Sequence, residues 1–189
     1  MLVKNLSLVT LLAPLLGSLI AGWAGRFVGK RGAHWVTILL MIASFVSALM
    51  VFDLVVFQKQ TFTGTIYTWG ESGSFSFNVG FMIDNLTAIM MTIVTFVSML
   101  VHLYSVGYMA DDPSNQRFFS YVSLFTFAML LLVTANNFFQ LFVGWEGVGL
   151  VSYLLIGFWF KKDSANAGSL KAFFVNRVGD LGFILGIAA

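Results

Sequence analysis

Cysteine is absent from the 189 residues and histidine occurs only twice. Thiolate ligation of an iron–sulfur cluster, a disulfide and a zinc centre of ordinary spacing are therefore excluded. Charge is also scarce: 10% of the residues are charged and 59% hydrophobic, against roughly 25% charged in soluble domains. The mean hydropathy is +0.91, so this is not a soluble globular chain. Ten basic and eight acidic residues are scattered without a run of either sign, which removes nucleic acid as a partner. No Gly-x-Gly-x-x-Gly stretch follows a strand pattern, so the flavin and nicotinamide fingerprint is missing. Any redox chemistry lies in a partner.

The chain instead contains long apolar runs. The first goes from Leu6 to Trp23 and ends at the basic turn Gly25–Gly32, which carries Arg26, Lys30 and Arg31. A cleaved signal peptide fits less well, because the run is long for one and its basic flank follows it. Further runs cover Trp35–Phe57, Leu86–Met109, Phe118–Thr134 and Phe138–Phe160, and a sixth begins near Leu170. With about 20 apolar residues per membrane crossing, the chain is filled by six spans. Asn136 and Asn137 form a tight polar turn between spans four and five. Only the connection from Gln58 to Ile83 changes period. There Phe75, Phe77, Val79 and Phe81 alternate with Ser74, Ser76, Asn78 and Gly80, while Gly70–Gly73 separates them from the β-prone Thr65–Trp69. This predicts an extramembrane hairpin. The fold class is thus an all-α polytopic membrane protein of about six transmembrane helices, with one β-hairpin between helices two and three.

Seven of the ten basic residues fall in loops one, three and five, Lys4 and Lys59 lie on the opposite side, and Arg177 is inside span six. The positive-inside rule then puts the N-terminus and hairpin outside. Residues Leu181–Ala189 end without a polar flank, so the chain is expected to be the N-terminal part of a longer protein.

Three charges lie inside spans. Glu146 is eight residues into span five, about 12 Å deep, and Asp180 is ten residues into span six, about 15 Å from the other side. Such carboxylates cost a few kcal/mol in a membrane and are kept for chemistry more often than for packing. Arg177 shares a face with Asp180 at i−3 and is expected to pair with it, which leaves Asp180 a fixed charge. Glu146 has no basic residue within a turn, so its partner comes from another helix or it carries a proton. Around it, Gly144, Gly147 and Gly149 allow close helix approach, and Tyr153 continues its face at i+7. His34 is expected at the membrane boundary. His102, inside span three, could relay protons or satisfy a neighbouring helix. The two differ in depth by roughly 9 Å, which argues against a bridging haem.

From Phe81 to Gly186 the chain resembles the largest antiporter-like membrane subunit of the proton-pumping NADH:quinone oxidoreductase, respiratory complex I. The matching segments are FMIDNLTAIMM, VHLYSVGYM, RFFSYVSLF, LFVGWEGVGLVSYLLIGFW and KAFFVNRVGD. The first eighty residues match in layout. The resemblance implies two parts, 1–80 with two helices and the hairpin, and 81–189 as the start of a proton-translocating module that stops after helix six. It implies that Glu146 corresponds to the family's fifth-helix glutamate, which pairs with a lysine on a later helix, and that Asp180 is the sixth-helix acid modulating that pair. NADH, flavin, iron–sulfur clusters and quinone would be held by partner subunits, with no cofactor in this chain. The partners would be the other membrane subunits and the lipid bilayer, the transported species protons, and the location the inner (plasma) membrane with N-terminus and hairpin on the periplasmic side. A subunit of a Mrp-type sodium/proton antiporter and a non-transporting membrane scaffold are the alternatives.

Overall fold

A computed structural model describes residues 1–73 and 75–189, with the backbone alone for Arg26, Val28, Ser72 and Phe75. Ser74 of the alternating stretch and the side chain of Arg26 lie outside the described residues. Six helices and one hairpin follow in the order α1 (Leu2–Trp23), α2 (Gly25–Phe52, closed by a π-turn Asp53–Phe57), β1 (Phe62–Ser72), β2 (Phe75–Ile83), α3 (Asn85–Tyr108), α4 (Asn115–Val133), α5 (Phe138–Ile156) and α6 (Asp163–Ala188). Five of the helices are long and apolar enough to cross a membrane. α6 has the length, at 26 residues, but Lys171, Arg177 and Asp180 interrupt its apolar stretch.

The expected basic turn is present and it breaks the helix. Gly29 adopts φ 73° within α2, a left-handed conformation cheap only for glycine, and the membrane-spanning part runs from there to Phe57. The second span thus begins about a turn and a half before the expected Trp35, because a backbone break rather than the onset of hydropathy sets its start. α6 likewise starts at Asp163 instead of near Leu170: its first turns are polar and leave no apolar signal. Asn137 and Asp84 cap α5 and α3, each carboxamide or carboxylate oxygen accepting an N–H three residues on (both 2.8 Å).

α4 stands at the centre, packed against α1, α2, α3 and α5, with α6 touching α5 on the far side. The hairpin pairs Phe62 with Ile83 through Ser72 with Phe75, with irregularities at Thr65/Tyr67 and Thr68/Gly70. It is longer than the expected Thr65–Trp69 and Phe75–Phe81 because pairing continues through flanking residues of weak β-pattern. It is clamped to the α4–α5 turn. Met82 N–H donates to Thr134 O (3.1 Å), Gly80 N–H to Gln140 Oε1 (2.8 Å) and Asn137 Nδ2 to Asn78 O (2.9 Å). A Cβ at Gly80 would overlap Asn136, so glycine is needed for that approach. Val3 of α1 joins Leu54, Phe81, Ile83 and Leu130 in the core beneath the hairpin, which places the chain's start at the hairpin end.

The opposite end is held by the basic loops. Lys30 Nζ donates to Asp112 O (3.1 Å), Trp159 Nε1 to Asp112 Oδ2 (2.9 Å) and Arg117 Nη2 to Phe158 O (2.9 Å). Asp112 also accepts from Ser114 N–H (2.7 Å). The Trp159 hydrogen bond, then that backbone one, then the nearby Arg117 and Lys30, hold the Asp112 carboxyl below its usual range.

Candidate functional site

Glu146 and Asp180, on neighbouring helices, share one cation. Arg177 Nη1 lies 2.5 Å from Glu146 Oε2 and 3.5 Å from Asp180 Oδ2. Its guanidinium also sits over the Phe173 ring, 4.7 Å from the centroid. Trp145 Nε1 donates to Asp180 Oδ1 (2.9 Å). The side chains are unequally covered: Asp180 is 7% exposed, Glu146 24% and Arg177 40%. Contact through Arg177 brings the two carboxylates to one level, although α6 starts at Asp163, so Asp180 lies further into its helix than a start near Leu170 implied. The expected Arg177–Asp180 pair is present, and the same guanidinium makes a shorter contact to Glu146. Interhelical approach adds the closer partner to the one that i,i+3 spacing supplies, and Arg177 is the donor from another helix that Glu146 was expected to need.

The glycines bring the helices together. A Cβ on Gly144 would come within 2.7 Å of the Leu132 backbone in α4, and one on Gly147 within 3.1 Å of Ala128 Cβ. Gly149 faces Asn176 of α6, 3.4 Å from where its Cβ would be. Tyr153, further along that face, packs on Phe173 with centroids 5.5 Å apart. Trp145 was not legible as a site residue. Only its indole N–H beside a midplane acid hinted at it.

His102 lies elsewhere, at α3–α4. Its Nδ1–H donates to Ser98 O (2.8 Å) and its Nε2 is hydrogen-bonded to Ser123 Oγ (2.9 Å). A carbonyl only accepts, so this pairing makes Nδ1 a protonated nitrogen. Of the two expected roles, satisfying a neighbouring helix is the one its contacts fit. His34 meets Asn115 Oδ1, and the rings of His34 and His102 contact Phe119 at 4.5 and 5.9 Å.

Two family descriptions match the chain. "NADH-Ubiquinone oxidoreductase (complex I), chain 5 N-terminus" covers residues 69–119, and "NADH:quinone oxidoreductase/Mrp antiporter, TM" covers 135–189. The chain belongs to the antiporter-like membrane subunits of complex I. NADH-quinone oxidoreductase subunit L of Neisseria meningitidis serogroup B is 54% identical over 185 residues, 97% of this chain and 27% of that protein. NADH-ubiquinone oxidoreductase chain 5 of Chondrus crispus is 48% identical over 180 residues, 95% of this chain and again 27% of the relative. This antiporter-like chain therefore spans about a quarter of the relatives it matches, and the likeness includes the first eighty residues. Among solved structures, a chain of the membrane-bound sulfane sulfur reductase, an archaeal respiratory membrane complex, superposes with TM-score 0.81 at 19% identity, over 96% of this chain and 36% of that one. The antiporter-like fold is thus retained where most of the sequence has changed.

Proposed function

We propose that the chain is the N-terminal portion of a proton-translocating membrane-arm subunit of NADH:quinone oxidoreductase, and that Glu146, Arg177 and Asp180 are its first proton-handling group. The sharing of one guanidinium by two carboxylates carries this reading. A cation close to a carboxylate favours its ionised form, and withdrawing the cation favours the proton. Small movement of Arg177 from Glu146 toward Asp180 would therefore let Glu146 take up a proton, and the return movement would release it. Asp180, buried and held by Trp145, is the stationary anion that receives the arginine.

In this reading NADH oxidation and quinone reduction take place in partner subunits that hold the flavin, iron–sulfur clusters and quinone. The chain lies in the inner (plasma) membrane with its basic loops inside and its N-terminus and hairpin on the periplasmic side. Residues 1–80 are the flanking part, and 81–189 begin the translocating module. The match of residues 69–119 to the complex I chain 5 N-terminus supports complex I over a Mrp-type antiporter.

The test is Glu146→Gln in the full-length subunit of the assembled complex. It keeps size and hydrogen bonding, so assembly and NADH oxidation are expected to persist while protons moved per NADH fall. A normal proton yield would overturn the reading.

A further inference from the structure

A cavity of about 320 Å³ opens between the hairpin and the start of α5. Its walls are the rings of Trp69, Phe77 and Phe139 and, deeper, Leu131 of α4 and Val143 of α5. Phe139 gathers the rings, with its centroid 5.1 Å from that of Phe77 and 6.5 Å from that of Trp69. All three rings stay exposed, at the level where the hairpin leaves the bundle and where tryptophan collects at membrane boundaries. Val143 is three residues past Gln140, about 4.5 Å further along α5. The cavity thus runs from an extramembrane ribbon onto the sides of membrane-spanning helices.

Two carboxamides in its lining are left incomplete. Gln140 is 3% exposed, and its Oε1 accepts the Gly80 N–H, which fixes Nε2 as the donor at the other position. That Nε2 is buried with no hydrogen-bond partner among the described residues, and so is Asn78 Oδ1. Asn78 Nδ2 pairs with Ser76 Oγ (2.9 Å). Because a hydroxyl gives or takes, either polar atom of Asn78 can be the free one, whereas Gln140 specifically lacks an acceptor. A buried amide N–H without an acceptor is costly. A single water would complete both groups in about 30 Å³. The rest of the lining is aromatic and aliphatic, and further waters there would lack the polar partners they need. The occupant that fits carries an acceptor next to a longer apolar part.

We propose that this cavity is a phospholipid site in the leaflet on the hairpin side. An acyl ester carbonyl accepts from Gln140 Nε2, the chain below it lies on Leu131, Phe139 and Val143, and the headgroup reaches Asn78. In a bilayer the ester is the last polar group before the hydrocarbon, and the same order, polar then apolar, runs inward from Asn78 through Gln140 to Val143. The lipid fills the wedge between hairpin and α5 and completes the clamp between them. The site stands apart from the proton-handling reading of Glu146.

Photocrosslinking tests it in the assembled full-length complex. The probes are two phosphatidylethanolamines with a diazirine on the same upper chain carbon, one with ester-linked and one with ether-linked chains, each at trace level in vesicles of unlabelled phosphatidylethanolamine. Peptide mass spectrometry reads the adducts on Phe139 and Val143 and on Ile89, which is exposed in the second turn of α3 at the hairpin end and reports ordinary lipid contact. At Ile89 the two probes are expected to react equally. At Phe139 and Val143 the ester probe is expected to exceed the ether probe about fivefold, the worth of one hydrogen bond. Gln140→Glu at pH 8 keeps an acceptor for Gly80 and loses the donor, so it should bring that ratio to one. Val143→Phe fills the cavity without touching a hydrogen bond and should remove the ester excess at Phe139 in a complex that still assembles. Equal reaction of the two probes at the cavity of the wild-type complex would overturn the proposal. So would an absence of adducts on Phe139 and Val143 while Ile89 reacts, since the cavity is then filled by water or covered by another part of the complex.

Discussion

The two halves of the bundle handle buried polarity in opposite ways. Across the α1–α4 interfaces the hydrogen bonds join neutral hydroxyl and backbone groups, with Ser7 Oγ in α1 buried without a partner among the described residues. Ser18 and Ser120 bond each other and Ser120 also donates to Ser18 O (2.9 Å), Ser44 donates to Thr10 O (2.6 Å), and Ser98 meets Thr126 at 2.5 Å. Across α5–α6 the polar contacts are charged and open, with two carboxylates around one cation and an arginine nitrogen left over. Hydroxyl pairs join apolar helices at the modest strength of interhelical hydrogen bonds, on the order of 1 kcal/mol. Charges in the same setting cost more than they return unless something moves. In the proposed reading, α1–α4 is scaffold and α5–α6 carries the mechanism.

The largest effect is expected at Arg177. Arg177→Met strands two carboxylates, and breaking a buried pair in this way costs about 3–5 kcal/mol, toward the lower figure here because the arginine is partly exposed. The complex should assemble poorly or lose thermal stability, and Arg177→Lys should recover part of it. A stable, fully assembled Arg177→Met complex would make α5–α6 as inert as the scaffold.

At the seam between the halves, Gly144→Ala would push a methyl into the Leu132 backbone. An overpacked contact costs about 1–3 kcal/mol, so the melting temperature of the complex should drop. An unchanged melting temperature would mean that α4 and α5 are not in close contact in the assembled protein.

His102 sharpens the comparison from the scaffold side. His102→Ala leaves the Ser123 hydroxyl without its partner at a cost of about 1–3 kcal/mol, so stability should fall while protons moved per NADH stay the same in whatever complex assembles. A reduced yield in stable complex would move His102 into the mechanism.

The smallest effect belongs to the loop clamp at Asp112. Its carboxyl sits below the usual range, so the clamp's contribution is present above that range and is lost as pH falls through the lowered value. Trp159 emission in the wild-type complex should keep its neutral-pH character down to acid pH, while in Asp112→Asn it should already be altered at pH 7, with little change in stability. Identical emission in the two proteins would remove the clamp.

Hydropathy located all six helices, and the change of period located the hairpin, because lipid imposes long uniform runs and an extramembrane ribbon does not. It missed the ends wherever the boundary was not a change in polarity: Gly29 breaks α2 by its dihedral angles, and Asp163 starts α6 on polar turns. Glu146, Arg177 and Asp180 were legible as intramembrane charges. The sharing of Arg177 with Glu146 was not, since i,i+3 spacing speaks for Arg177 and Asp180 alone and says nothing of how α6 turns against α5, where Gly149 faces Asn176. Trp145 became a partner of Asp180 through the same rotation.

The most direct measurement of the central claim is the reaction-induced infrared difference spectrum of the complete complex during NADH turnover, compared between wild type and Glu146→Gln. If Glu146 gains and loses a proton as Arg177 shifts, a protonated-carboxyl band is present in the wild-type difference spectrum and missing from that of the variant. Superimposable carboxyl regions in the two spectra would contradict the account.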